Sequence, residues 1–127
     1  LVQPDAAQTL FEPADAVAVD ESLWLEVKIV SQFTTEGPNA SYSSQLLSGI
    51  SQDLTKLASD PQILHAAFLV IMFVASDEIA SHDLRIWEER CLTKGLPLAA
   101  PSKRSLPITN RLGNALLHAA LFPVPHF

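Results

Sequence analysis

The sequence predicts an α/β domain, because three of its segments carry different patterns of apolar residues. Residues 16–19 and 23–30 are two β-prone runs separated by a polar turn, which favours a hairpin. Residues 42–58 place apolar side chains at helical spacing until Ser59-Asp60-Pro61 stops the pattern. Residues 68–74 read FLVIMFV and have no polar face, as in a central strand covered on both sides, although a buried helix also fits so short a run.

The second half of the chain predicts two more helices. Asp77-Glu78 suits a helix N-terminus and Lys94-Gly95 a C-terminus. The expected buried face of this helix carries Ile79, Ile86, Trp87 and Cys91. Prolines at positions 97, 101 and 107 mark a connector before a last helix over residues 110–121. We therefore expect a single domain over residues 1–127, in which residues 96–127 form a helical, basic C-terminal extension.

Length and composition limit the classes of protein to which this chain can belong. The 127 residues have room for one core, and 48% apolar with 17% charged residues is typical of a folded chain. The single cysteine, Cys91, excludes an intramolecular disulfide and a cysteine-based zinc site, and it favours a reducing, cytoplasmic location. The longest apolar run, residues 63–75, is shorter than the ~20 residues that a membrane span needs, so we expect no membrane contact.

Charge is unevenly placed along the chain. The net charge is -6, yet residues 85–127 carry six basic residues against only Glu88 and Glu89. An acidic N-terminal part and a basic C-terminal part of the chain are compatible with a metal site that faces a phosphate backbone. A plain solvated surface explains the same pattern, and charge alone favours that explanation.

Three residues of the predicted hairpin combine into a possible metal site. Asp15 lies at the start of the first strand, and Glu26 and Lys28 share one face of the second because side chains alternate across a strand. Carboxylates are the ligands that Mg²⁺ prefers, and a nearby ammonium group can orient water and offset developing negative charge. Asp20 is a second, weaker candidate ligand, since a turn role explains it better.

Residues 13–28, which read PADAVAVDESLWLEVK, resemble the active-site signature of the PD-(D/E)XK, or restriction-endonuclease-like, nuclease superfamily. The match is Asp15, ten intervening residues and Glu26-Val27-Lys28. The resemblance implies a fold in which the hairpin carrying the site is followed by a helix, a buried strand and C-terminal helices. It also implies a deoxyribonuclease that uses Mg²⁺ or Mn²⁺, with Asp15, Glu26 and the backbone carbonyl of Val27 as ligands and Lys28 as a catalytic group.

DNA is the partner that this resemblance implies, and a homodimer or a larger complex stays open as the assembly. The residues that we expect to contact nucleic acid are Tyr42, Gln45, Lys103, Arg104 and Arg111. Ala14 replaces the proline of the motif, and residues 1–13 barely provide the helix and strand that precede the aspartate in the family. Either the chain is truncated at its N-terminus or its site is incomplete. Two other interpretations stay open: an inactive nuclease-like binding or assembly module, and an all-helical interaction domain.

Overall fold

A computed structural model describes residues 21–127, so residues 16–19, the first predicted hairpin strand, lie outside the described residues. The described part contains six strands and three helices. In chain order they are β1 (Leu23–Ser31), β2 (Phe33–Thr34), β3 (Gly37–Pro38), α1 (Tyr42–Leu47), α2 (Ile50–Ser59), β4 (His65–Val74), α3 (Asp77–Thr93), β5 (Ser102–Arg111) and β6 (Asn114–Val124). None of these helices is long and apolar enough to cross a bilayer.

The long strands form one mixed sheet in the order β1-β4-β6-β5. β1 and β4 are parallel, with Val27 beside Leu69, whereas β6 runs antiparallel to both β4 and β5. The segment that carries α1 and α2 connects the two parallel strands, as parallel pairing requires. The α/β class is therefore confirmed, and the all-helical alternative is wrong because FLVIMFV lies in a central strand.

The helices cover one face of the sheet. α1 packs on β1, while α2 and α3 pack on β4 and β6. The indole of Trp87 on α3 lies between the rings of Phe68 and Phe122, with ring centroids 5.4 and 4.9 Å away. All three side chains are almost fully buried, so this aromatic stack joins α3 to the two middle strands.

The predicted helix over residues 42–58 is two helices. The backbone breaks at Ser48, which is extended, and at Gly49, whose φ of 70° is a left-handed conformation that suits glycine. The apolar face was predicted correctly, since Ile50, Leu54 and Leu57 are buried. The break changes the direction of the chain between α1 and α2, and the buried apolar side chains still face the sheet.

The predicted helix that begins at Asp77 is confirmed as α3, but its buried face differs in part from the predicted one. Ser76 caps its first turn, its side-chain oxygen accepting a hydrogen bond from the backbone N–H of Ile79. Trp87 and Cys91 are buried as expected, together with Leu84, whereas Ile86 is exposed and was wrongly assigned to the core.

The helix predicted over residues 110–121, and with it a helical extension over residues 96–127, is wrong. Residues 102–124 form the β5–β6 hairpin, which completes the main sheet. Alternate residues of β6, including His118 and Phe122, are buried, so the true period is two. Pro107 is tolerated because β5 is an edge strand and its pairing shifts register after this residue.

No element within residues 21–127 packs on the second face of the sheet, which we call the open face. Its residues are those that alternate with the buried set on each strand. The apolar ones include Leu23, Leu25, Val27, Ile29, Ala67, Leu69, Ile71, Phe73, Leu106, Leu117, Ala119, Leu121 and Pro123. The expectation that β4 is covered on both faces therefore holds for one face of the described structure.

Leu54→Ala tests the helix-covered core. Leu54 is fully buried on α2, and truncating such a leucine lowers the free energy of unfolding by about 2–5 kcal/mol. Leu92→Ala on α3 is the matched control, because Leu92 is 72% exposed, and we expect a change within about 0.5 kcal/mol. Urea denaturation followed by tryptophan fluorescence measures both, and equal losses would contradict the packing described.

Candidate functional site

β1 presents Glu26 and Lys28 to the helical side of the sheet. Along this face exposure falls from Trp24, through the half-buried Glu26 and Lys28, to the buried Val30. Glu26 therefore lies where the face opens to solvent, near the N-terminal end of the strand. Within residues 21–127 Glu26 forms no ion pair, so its carboxylate has no cation of this region as a partner.

The Lys28 ammonium group is fixed by the end of α1. Nζ donates hydrogen bonds to the backbone carbonyls of Gln45, at 2.8 Å, and Ser48, at 2.7 Å. Carbonyls in the last turn of a helix lack intrahelical donors, and the break at Gly49 removes the N–H groups that a continuous helix supplies. Lys28 provides those donors and places a positive charge at the negative end of the helix dipole.

The Lys28 ammonium group has one N–H donor more than its two carbonyl partners use. An ammonium group has three N–H donors, and the two carbonyls take two of them. The third has no hydrogen-bond partner among residues 21–127. Sequence reasoning predicted the position of Lys28 beside Glu26 and missed its contact with the helix end.

The rest of the predicted metal site is only partly described. Asp15 and Asp20 lie outside the described residues, so the convergence of Asp15 with Glu26 stays a prediction. The Val27 side chain is on the open face, which leaves its backbone carbonyl as its one possible contribution. Among residues 21–127, no three histidine, cysteine, aspartate or glutamate side chains come together as metal ligands.

Tyr42 and Gln45, both expected to contact nucleic acid, form hydrogen bonds within the protein; Tyr42 is buried and Gln45 is exposed. The Tyr42 hydroxyl donates a 2.7 Å hydrogen bond to Asp83 Oδ2, which ties α1 to α3. Burial, and then the Asp83 carboxylate, raise the pKa of this phenol well above its usual range. Gln45 Oε1 accepts a hydrogen bond from the Asn39 side chain, so α1 is anchored at both of these positions.

The three basic residues of the C-terminal hairpin do not share one surface. Lys103 and Arg104 are neighbours on β5 and point to opposite faces of the sheet. Lys103 Nζ lies 3.4 Å from Glu88 on α3, whereas Arg104 is on the open-face side. Arg111 lies at the far end of β5, beside a cleft of about 390 Å³ that Phe33 and Phe73 also line.

A polar cluster that the sequence reasoning missed joins α3 to the hairpin. Ser105 Oγ donates to Asp77 Oδ1 at 2.8 Å and lies 2.7 Å from His118 Nδ1. His118 is buried, and its Nε2 has no hydrogen-bond partner within the described structure. Burial lowers the pKa of His118, and nearby Asp77 opposes this effect only in part. The two-residue period of β6 was the signal that could have revealed this cluster.

No protein family, no curated protein and no solved structure matches the chain.

Lys28→Met tests the contact with the end of α1. The methionine keeps most of the apolar stem and removes the charged donors, which lowers the free energy of unfolding by about 1–2 kcal/mol. Lys56→Met on α2 is the matched control, because Lys56 is exposed. Chemical denaturation of both variants measures the difference, and an unchanged stability of Lys28→Met would contradict the role assigned to its ammonium group.

The lowered pKa of His118 predicts that the free energy of unfolding depends on pH. Because its folded pKa is below the ordinary value of about 6.5, its neutral ring contributes stability that is complete above about pH 6.5 and declines as the pH falls toward the folded pKa. The stability advantage of the wild type over His118→Gln should therefore be larger at about pH 8 than at about pH 5.5. Urea denaturation at both pH values measures it, and an advantage that grows in acid would contradict the assignment.

Proposed function

We propose that this chain is a metal-dependent nuclease domain that hydrolyses DNA phosphodiester bonds. The observation that carries the proposal is the pair on β1: a half-buried Glu26 carboxylate without a cationic partner in the described residues, beside a Lys28 ammonium group held by two carbonyls. The parallel β1–β4 pair and its helical connection agree with the order of elements that the PD-(D/E)XK resemblance implies.

The donor set fits a hard divalent cation. In this proposal Asp15 and Glu26 supply carboxylate oxygens, and the backbone carbonyl of Val27 adds a third, which is the oxygen-rich set that Mg²⁺ or Mn²⁺ prefers. β1 is an edge strand within the described sheet, so a strand that brings Asp15 alongside has a free edge on which to pair. When bound, such an ion neutralises phosphate charge and activates water for attack.

Lys28 acts in the proposed site as a positioned donor. Its two bonds to α1 carbonyls restrict the ammonium group before the substrate arrives. The remaining N–H points a fixed positive charge at a phosphate oxygen or at the attacking water, and such preorganised groups stabilise developing negative charge without rearrangement.

Glu26→Gln and Asp15→Asn test the nuclease proposal. Both changes keep side-chain size and remove a carboxylate, so we expect Mg²⁺-dependent DNA cleavage to fall by at least about 10²-fold. Glu36→Gln, at an exposed position between β2 and β3, is the matched control and should retain full activity.

The assay uses plasmid and linear DNA with Mg²⁺, with Mn²⁺ and with EDTA. Circular dichroism of each variant confirms that the fold is kept. Cleavage that persists in EDTA, or that Glu26→Gln and Asp15→Asn both retain, would contradict the proposal.

The second candidate is a binding or assembly module with the same fold and no turnover. The observation that favours it is the structural use of Lys28, whose contacts with Gln45 and Ser48 already explain its position on β1. Calorimetric titration with Mn²⁺ separates the two candidates. A nuclease site gives a binding heat that disappears in Glu26→Gln, whereas an assembly module gives none.

A further inference from the structure

The open face is apolar across β1, β4 and β6, and on β5 it adds Leu106 beside the polar Ser102 and Arg104. On β1 it exposes Leu25, Val27 and Ile29, the last with 61% of its surface accessible. On β4 and β6 it continues through half-buried side chains such as Ile71 and Leu117. Monomeric proteins rarely expose a contiguous apolar patch of more than a few hundred Å², so this surface is suited to being covered.

Its area is that of a small specific interface. Four strands spaced ~4.8 Å apart, each rising ~3.3 Å per residue over about nine residues, give a planar footprint of roughly 600 Å². Two such faces together remove roughly 1,100 Å² or more from water, which reaches the range of about 1,000–1,200 Å² at which stable protein interfaces begin.

The charge and the side-chain sizes of the open face allow it to pack against an identical face. No open-face position in the described residues carries a carboxylate, and its charged or ionisable groups, Arg104 and His65, lie at its margins. Large side chains such as Leu69 alternate with the small Ala119, which lets two faces interdigitate at the ~10 Å spacing of packed sheets.

We propose that the open face binds the open face of a second copy of this chain in a two-fold homodimer. A two-fold axis parallel to the strands lays β1 of one copy over β5 of the other, since these are the two outer strands of the sheet that residues 21–127 form. Ile29 then lies opposite the aliphatic stem of Arg104, with Leu106 next along the same strand, and the two Arg104 groups lie at opposite edges of the interface. The helical faces with Glu26 and Lys28 point outward in both copies, so the dimer does not use the residues of the proposed nuclease site.

The test is the mass of the full chain in solution, measured by sedimentation equilibrium from micromolar to submillimolar concentration. We expect a reversible species of twice the 13.8 kDa chain mass. Ile29→Lys, which places an ammonium group in the interface, should weaken association by at least about tenfold. Leu92→Lys introduces the same charge on α3, at another exposed leucine, and should leave association unchanged.

A chain that stays monomeric over the whole concentration range overturns the proposal, whatever else it binds. So does a dimer that Ile29→Lys leaves intact, or one that Leu92→Lys weakens equally. Because Ile29 is exposed on an edge strand, its substitution should not unfold a single copy, and a thermal melt of Ile29→Lys verifies this. The concentration dependence of the wild type tests the proposal without any variant.

Discussion

The parallel pairing of β1 with β4 is the constraint on which the rest of the structure depends. It fixes the register from Leu23 opposite His65 to Ser31 opposite Phe73, and the register decides which side chains of β1 face the helices. A slip of one residue would send Glu26 and Lys28 to the open face. The position of Glu26 and Lys28 on the helical face therefore depends on the register of β1 with β4.

Lys28 combines a structural and a chemical function. The chain interrupts its helical segment at Gly49, and this interruption leaves carbonyls that the ammonium group satisfies. The same contact fixes a positive charge beside Glu26, on a face that opens to solvent at Trp24. A group held in this way costs little to reorganise around an anion, so the helix break itself prepares the proposed site.

The sequence predicted the elements in which one pattern dominates. The spacing of Leu54 and its neighbours predicted a helix, and the apolar run of β4 predicted a buried element that its pairing with β1 and β6 shows to be a strand. Residues 102–124 were mispredicted because Pro107 signals a connector, and only pairing with β6 shows that β5 is an edge where proline is tolerated. The Tyr42–Asp83 bond joins residues 41 positions apart, and no local pattern reports such a contact. Glu26 and Lys28 were placed correctly together because strand alternation is a local property.

The most direct test of this account is paramagnetic broadening of backbone amide signals by Mn²⁺. If Glu26 and Asp15 hold a cation on the helical side of β1, the amides near Glu26, Lys28 and Asp15 lose intensity first. Glu26→Gln should abolish that selective loss while the rest of the spectrum stays unchanged. Broadening that is uniform, that centres elsewhere, or that survives Glu26→Gln would contradict a metal site on this strand.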